Sequence, residues 1–286
     1  MKIIKYFFEF FFIIILFIVF KIISYKKASN LGEKIGTAIG PFFRSYNKTN
    51  LNLKNSGIGN SDEERKKIIK KMWGNYGRIL SEYMFMKEFR NNSLENKIEI
   101  IGQKILDEIK YKDKPVIFIS GHFNNFELMA MHLEKSGIKL AAIYRPLNNI
   151  FLNPIMEKIR KKYICKRQVK KGLHGTKEIL KYFKEGSSIA LMIDQRVSEG
   201  IRSKFFNREA FTTTIPAQFV KKFDCNIVPI YIERKQKHQF KLEIFNPIEF
   251  SKNEEIEEIT IKLNTILENM IVKNPDQWIW THNRWK

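Results

Sequence analysis

The sequence predicts an α/β fold in which helices flank a mixed, mainly parallel sheet, preceded by a membrane-anchoring helix at the N-terminus. Short apolar runs rich in Ile and Val alternate with helical stretches, and residues 3–23 form one apolar block. Such alternation is typical of parallel or mixed sheets. With 44% hydrophobic residues among 286, the chain can also bury a large core.

The N-terminal apolar block is predicted to be a membrane segment. Its core from Phe10 to Phe20 carries no charge, and the block is close to the length that spans a bilayer. A cleaved signal peptide is the alternative, but lysines follow the core and a clear cleavage site is absent. The lysines after the segment outnumber those before it, which places the following chain in the cytoplasm. A helix lying in the membrane interface also fits.

We expect three regions along the chain: a membrane anchor at 1–25, a juxtamembrane segment at 26–60 and one α/β domain at 61–286. Gly32, Gly36 and Gly40 recur every four residues in the juxtamembrane segment. This spacing indicates either a helix face that allows close packing or a flexible stretch.

Helices and strands alternate through the α/β domain. The first helix is predicted from residue 61 to about 90, where Ser61 and Glu64 form a capping box. Further helices are predicted at about 126–136, 149–162, 173–185 and 212–223, among strands with the sequences PVIFIS, IKLAAIY, SSIALMID and NIVPIYIE. The late strand FKLEIF is predicted at a sheet edge, and a closing amphipathic helix ends before Pro275.

The stretch GHFNNFEL, residues 121–128, joins a predicted strand to a predicted helix. His122 and Glu127 could meet if the helix begins between them, with Asn124 or Asn125 as its cap. Glu127 would then lie in the first turn, where the helix dipole favours the ionised carboxylate. A carboxylate facing an imidazole fixes its tautomer and raises its basicity. The stretch is therefore either a catalytic pair or an ordinary connection between strand and helix.

A catalytic site at this stretch would need a nucleophile from the substrate. The sequence has no G-x-S-x-G elbow, and Cys165 and Cys225 lie outside recognised nucleophile motifs. We expect both cysteines to be buried free thiols in a reducing compartment. A substrate hydroxyl activated by His122 is compatible with this arrangement. The histidines show no metal-ligand spacing, and a glycine-rich phosphate loop is absent, so we expect no metal and no cofactor.

Several motifs, taken in order, resemble the lipid A biosynthesis late acyltransferases, the lauroyl and myristoyl transferases related to the glycerolipid acyltransferase superfamily. They are the N-terminal anchor, GHFNNFEL, YRPLNN at 144–149, Arg160, IDQR at 193–196, FFNREAFTTT at 205–214 and the terminal NPDQWIWTHNRWK. The resemblance spans nearly the whole chain. Asn124, Phe126, Asn207 and Asn283 depart from residues frequent in the family, but Asn tolerates a positive φ at positions 124 and 207.

This resemblance implies transfer of a fatty acyl group from acyl carrier protein to a hydroxyl of a Kdo-bearing lipid A precursor. The reaction would take place at the cytoplasmic face of the cell inner membrane. The resemblance implies His122 as the general base, Glu127 as its partner, and Arg160 and Asp194 as further active-site residues. A guanidinium such as Arg160 could stabilise an oxyanion or hold a phosphate. Arg145, in the motif YRP, is a further candidate for substrate binding.

The chain is strongly basic, with a formal net charge of +21. Residues 158–171 carry eight basic residues and no acidic one, and we expect Lys166 and Arg167 within them to bind substrate. Acyl carrier protein and lipid A precursors are both acidic, so either could be attracted there. A solvated basic face or general attraction to anionic lipid is the alternative.

Two other functions are compatible with the sequence. The same pair of residues could acylate another lipid, such as a glycerol phosphate or a glycolipid. Alternatively, the chain could be a membrane-tethered basic binding protein. The tryptophan-rich C-terminus favours the lipid A acceptor, and we expect no nucleic-acid partner. Trp278, Trp280 and Trp285 suit either a membrane interface or a packed core.

Overall fold

A computed structural model describes residues 2–285 and shows a seven-stranded sheet accompanied by eleven named helices. The helices are α1 (Lys2–Ile22), α2 (Tyr25–Phe43), α3 (Tyr46–Asn55), α4 (Asp62–Glu82), α5 (Met86–Arg90), α6 (Gln103–Lys112), α7 (Glu127–Lys135), α8 (Asn153–Ile159), α9 (Leu173–Lys184), α10 (Ile215–Phe223) and α11 (Ile256–Lys273). The strands are β1 (Ile98–Ile101), β2 (Ile117–Ser120), β3 (Leu140–Tyr144), β4 (Arg167–Lys170), β5 (Ser188–Met192), β6 (Ile201–Phe205), β7 (Arg208–Thr212), β8 (Ile227–Gln236) and β9 (Gln239–Ile244).

The sheet has the strand order β1-β9-β8-β2-β5-β3-β4, and β6 and β7 form a separate antiparallel hairpin. Neighbouring strands of the sheet are parallel except for β8 and β9. The predicted α/β fold with a mainly parallel sheet is therefore confirmed. All four residues of β2 are buried, which explains why the central strands are nearly continuous apolar runs in the sequence.

The prediction that FKLEIF lies at a sheet edge is wrong. This strand, β9, lies between β8 and β1, and β1 forms the edge. The edge strand β1 contains three isoleucines, but it is only four residues long, which is too short to show a clear strand period in the sequence. At the opposite edge, β4 lies within the basic run, where lysine and arginine are compatible with an edge strand.

The juxtamembrane glycines pack α2 closely against α4. A Cβ atom on Gly32 would lie 2.3 Å from the carbonyl oxygen of Gly77, and one on Gly36 would lie 2.3 Å from that of Trp73. Only a residue without a side chain allows the two backbones to approach so closely. Of the two alternatives for this segment, the packed helix is therefore correct.

Helix α1 lies along the protein rather than projecting from it. Near its start, the side-chain amide of Asn149 donates to the carbonyl oxygen of Tyr6 over 2.8 Å. At its end, the amine of Lys21 donates to the carbonyl oxygen of Met84 over 3.0 Å. Most of its large apolar side chains are nevertheless exposed, including Phe8 at 66%. By length and composition, α1 could also cross a membrane.

Candidate active site

Two neighbouring parallel strands bring His122 and Asp194 together. Ser120, the last residue of β2, is in register with Met192, the last residue of β5. His122 and Asp194 each follow two residues after these strand ends. The Nδ1 atom of His122 lies 2.8 Å from Oδ1 of Asp194, and the backbone N–H of His122 donates to Oδ2 over 2.8 Å. The carboxyl edge of an open α/β sheet is a common place for ligand-contacting groups.

Asp194 is buried and ionised. Its Oδ2 atom also accepts a hydrogen bond from the indole Nε1–H of Trp278 over 2.9 Å. Burial raises the pKa of Asp194, but the charge and hydrogen bonds of His122 and the indole bond outweigh this, so the pKa is lowered overall. An ionised carboxylate accepts hydrogen bonds only, so Nδ1 of His122 carries a hydrogen.

His122 is thereby prepared to act as a base. Burial, the largest single influence, lowers its pKa, but the charge and hydrogen bond of Asp194, with a smaller contribution from the charge of Glu127, raise it by more, so the pKa lies above the usual value for histidine. In the neutral ring, the hydrogen on Nδ1 leaves a lone pair on Nε2. Within the described residues, Nε2 has no hydrogen-bond partner, and His122 lines a cavity. The lone pair is available to a substrate in that cavity.

Glu127 does not have the place that the sequence suggests. Its Oε1 atom accepts hydrogen bonds from Nε of Arg160, over 2.8 Å, and from the hydroxyl of Tyr83. Among residues 2–285, no hydrogen bond joins Glu127 to His122. The predicted pairing of Glu127 with His122 is therefore corrected. The permanently charged guanidinium of Arg160 lies within reach of the buried Glu127 carboxylate, and Nδ1 of His122 is already bonded to Asp194.

Arg160 starts a π-helical turn, Arg160–Ile164, directly after α8. Such turns are frequent at functional sites. Burial is the largest single influence and lowers the pKa of Arg160, but the charges and hydrogen bonds of Glu127 and Tyr83 together raise it by more, which keeps the guanidinium charged. Its Nη2 atom donates to the hydroxyl of Tyr83 over 3.0 Å. Its Nη1 atom is buried and has no hydrogen-bond partner in the part of the chain that the structure describes.

The turn before α7 is held by its two asparagines. Asn124 has a φ of 38°, and Asn207, between β6 and β7, has a φ of 57°, a conformation that asparagine was expected to tolerate at both positions. The side chain of Asn125 donates to Glu82 over 2.9 Å instead of capping the helix. The N-cap position is held by Phe126, without a side-chain hydrogen bond. The prediction that Asn124 or Asn125 caps α7 is therefore wrong. The Oδ1 atom of Asn124 accepts from the backbone N–H of Asn125, and the buried Oδ1 atom of Asn125 has no hydrogen-bond partner among the described residues.

The cavity beside His122 has a volume of about 460 Å³. Glu127, Arg160 and Arg145 line it, as predicted for a common site. Apolar side chains also contribute, among them Ala130, Ala142, Ala190, Leu191, Ile215 and Ile279. The rim adds the exposed cations Arg44 and Lys171, so the cavity combines an apolar lining with a basic opening.

Lys166 and Arg167 do not reach this cavity. Both are exposed and lie at the start of β4, whereas Lys171, which lines the cavity, follows the end of that strand. The guanidinium of Arg167 lies over the ring of Tyr182, 5.0 Å from its centroid. The structure thus separates these two residues from the other predicted site residues.

Sequence reasoning missed four contributors to this site. Tyr83 bridges Glu127 and Arg160, Arg44 lies on the rim, His282 lines the cavity, and Trp278 supports Asp194. Only the terminal motif gave a signal, because it contains both Trp278 and His282. Trp278 and Trp280 are buried to 1% and 0% exposure, which favours the packed-core alternative for them.

Cys165 and Cys225 are buried free thiols, as predicted. Burial raises the pKa of each to about 12. Neither residue lines the cavity beside His122. The thiolate form that a cysteine nucleophile needs is therefore disfavoured at both positions.

The fold and this site define an α/β enzyme in which an Asp–His pair can activate a hydroxyl group. The model of the bacterial lipid A biosynthesis acyltransferase family matches residues 1–286. The chain belongs to this family, whose reaction is acyl transfer in lipid A biosynthesis.

The curated relatives are distant but cover most of the chain. The lipid A biosynthesis acyltransferase 2 of Shigella flexneri is 23% identical over 86% of this chain and 80% of its own. The lipid A biosynthesis lauroyltransferase of Escherichia coli is 24% identical over 79% of this chain and 74% of its own. The lipid A biosynthesis palmitoleoyltransferase of the same organism is 23% identical over 90% of this chain and 84% of its own.

Proposed function

We propose that this protein transfers a fatty acyl group from an acyl carrier protein thioester to a hydroxyl of a Kdo-bearing lipid A precursor. The observation that carries the proposal is the state of His122. Asp194 holds Nδ1, while Nε2 has no hydrogen-bond partner among the described residues and the side chain lines a cavity with an apolar lining and a basic rim. This arrangement suits a base that takes a proton from a substrate hydroxyl.

The reaction balances without a cofactor. Nε2 of His122 takes the hydroxyl proton as the acceptor oxygen forms a bond to the thioester carbon. The resulting tetrahedral intermediate collapses with cleavage of the carbon–sulfur bond, and the thiolate takes the proton from His122. The ionised Asp194 stabilises the imidazolium that exists between these steps. The products are an ester and the free thiol of the carrier.

Glu127 acts through Arg160 in this proposal, which replaces the pairing of Glu127 with His122. Glu127 and the Tyr83 hydroxyl fix the guanidinium of Arg160, which lines the cavity beside His122 and can donate a hydrogen bond there. A preorganised donor of this kind stabilises the negative charge that develops on the carbonyl oxygen. Glu127 is therefore a positioning residue.

The two substrates would use different basic surfaces. Arg44, Arg145 and Lys171 at the cavity rim form no salt bridge with an acidic side chain among the residues described, which suits the phosphate or carboxylate groups of the acceptor. Lys166 and Arg167 are exposed outside the cavity and suit the acidic surface of acyl carrier protein. Both assignments follow the charge and the position of these residues.

We propose that the protein works at the cytoplasmic face of the inner membrane. The contacts of α1 with Asn149 and Met84 hold both ends of this helix against the protein. This arrangement favours a helix that lies in the membrane interface with its exposed apolar side chains in the lipid. Asn148, next to Asn149, lines the cavity, so the cavity opening would lie beside the lipid surface.

An acyl-transfer assay with two acceptors tests the proposal. Purified protein in detergent is incubated with acyl carrier protein thioesters and either a Kdo-bearing lipid A precursor or glycerol 3-phosphate. We expect the lipid A precursor alone to gain the mass of one acyl group, and the His122→Ala variant to give no gain. Acylation of glycerol 3-phosphate alone would assign the protein to another lipid, and no transfer with any donor would reject the proposed reaction.

A further inference from the structure

A second histidine lies in the cavity. His282 belongs to the terminal motif and lines the same cavity as His122. Its Nε2 atom accepts a hydrogen bond from the backbone N–H of Arg196 over 2.9 Å. Its carbonyl oxygen accepts one from the side-chain amide of Asn52 over 2.8 Å. The ring and the backbone of His282 are therefore both fixed by contacts with distant parts of the chain.

The hydrogen bond from Arg196 decides which tautomer His282 adopts. A backbone N–H can only donate, so Nε2 must present a lone pair to it. Burial, the largest influence, lowers the pKa of His282 to about 4, so the ring is neutral near pH 7. A neutral imidazole with a lone pair on Nε2 carries its hydrogen on Nδ1. His282 is thus a donor through Nδ1.

This Nδ1 hydrogen is available to a substrate. Nδ1 has no hydrogen-bond partner within the described part of the chain. It is also not fully buried, so a substrate can reach it. The side chain is partly exposed, and it is close enough to Asp194 and His122 for their charges to affect its pKa. A fixed donor thus lies in the cavity near the proposed base.

We propose that His282 is a further catalytic residue, which donates its Nδ1 hydrogen to the carbonyl oxygen of the acyl thioester. The proposal rests on the acyl transfer proposed above. The carbonyl oxygen is a hydrogen-bond acceptor only, and it gains negative charge when the acceptor oxygen attacks. His282 neither gains nor loses a proton in this step. It shares the oxyanion with the guanidinium of Arg160, which lines the same cavity.

Two substitutions separate the donor role from the anchoring role. In His282→Asn, the amide nitrogen can take the position of Nδ1 and donate, but the acceptor for Arg196 is lost. In His282→Gln, the amide oxygen can take the position of Nε2 and accept from Arg196, but the donor is lost. We expect His282→Gln to lower kcat about 10²-fold with KM unchanged, and His282→Asn to keep activity within about 10-fold of the wild type. Wild-type turnover in His282→Gln, with His282→Asn as inactive as His282→Ala, would overturn the proposal.

A spectroscopic measurement tests the donor without any acceptor lipid. The full chain, labelled with ¹⁵N at its five histidines, is observed by NMR before and after addition of a dodecanoyl-pantetheine analogue with an amide in place of the thioester. His282→Gln assigns the signal. We expect the Nδ1–H tautomer, and a change in the Nδ1 hydrogen shift on binding. A hydrogen on Nε2, or an unchanged shift with the analogue bound, would contradict the donor role, whichever lipid proves to be the acceptor.

Discussion

His122 and Asp194 are 72 positions apart in the chain, but Nδ1 of the imidazole lies 2.8 Å from the carboxylate oxygen. The carboxylate also accepts from the backbone N–H of His122 and from the indole of Trp278, so its orientation is fixed from three sides. This contact defines the tautomer of His122 and leaves Nε2 for the substrate.

The pH dependence of acyl transfer should reflect the contact between His122 and Asp194. His122 must be neutral to act as a base, and Asp194 raises its pKa, so kcat/KM falls as the pH is lowered through a value above the usual histidine pKa of about 6.5. In Asp194→Asn the raising charge is lost while burial remains, so this acidic limb moves to lower pH, and kcat falls by about 10²-fold to 10⁴-fold.

Steady-state rates between pH 5 and 9 measure both effects of this substitution. Asp107→Asn, which changes an exposed carboxylate on α6, is the matched control and should leave the profile unchanged. An acidic limb at the same pH in Asp194→Asn as in the wild type would mean that His122 is not the titrating base.

Much of the fold was predictable because the central strands are buried on both faces and therefore appear as apolar runs. The sequence also identified His122 and Asp194 as site residues. It could not pair them, because the pairing depends on β2 and β5 being neighbours with Ser120 opposite Met192. Strand order in a parallel sheet depends on long-range packing, which local sequence patterns do not encode.

The position of Glu127 was predictable only in part. Its place in the first turn of α7 followed from the local sequence, but its partners Tyr83 and Arg160 come from other helical segments. The tyrosine gave no signal, since it also fits the apolar face of the helical region predicted from residue 61 to about 90. The edge strand β1 was also missed, because a strand of only four residues is too short to show a clear period.

Loss of the Glu127 carboxylate should affect stability as well as turnover. Glu127→Gln leaves the buried guanidinium of Arg160 without its counter-ion, and breaking such a pair typically costs about 3–5 kcal/mol. We expect a lower midpoint of urea unfolding and a lower kcat. The acidic limb of the pH profile should move less than in Asp194→Asn, because Glu127 forms no hydrogen bond with His122 among the described residues. A shift as large as that of Asp194→Asn would restore the direct pairing of Glu127 with His122.

The rim cations and the exposed cations of β4 should affect different substrates. Neutralising Arg145 and Lys171 at the rim should raise KM for the acceptor lipid, whereas Lys166→Gln with Arg167→Gln should raise KM for acyl carrier protein. Both effects should decrease with added salt, because exposed charges are screened. Initial rates with each substrate varied in turn measure the two constants. If both double variants raised the KM for the acceptor lipid and the KM for acyl carrier protein equally, the assignment of the two substrates to different basic surfaces would be rejected.

The two faces of α1 should respond differently to substitution. Phe8→Ser with Phe11→Ser changes exposed rings and should weaken binding to anionic phospholipid vesicles while leaving the free energy of unfolding nearly unchanged. Phe20→Ala is the matched change on the packed face, where the ring is fully buried, and should cost about 3–5 kcal/mol. Vesicle sedimentation and chemical denaturation distinguish them. Unchanged vesicle binding in the first variant would contradict the interfacial placement of α1.

The central claim is that His122 removes the proton from the acceptor hydroxyl. The most direct test is single-turnover acyl transfer from acyl carrier protein to the Kdo-bearing precursor by wild-type protein and by His122→Ala. We predict a rate constant lower by about 10²-fold to 10⁴-fold, with unchanged binding of both substrates and normal folding. A folded His122→Ala variant that transfers the acyl group at nearly the wild-type rate would contradict the account.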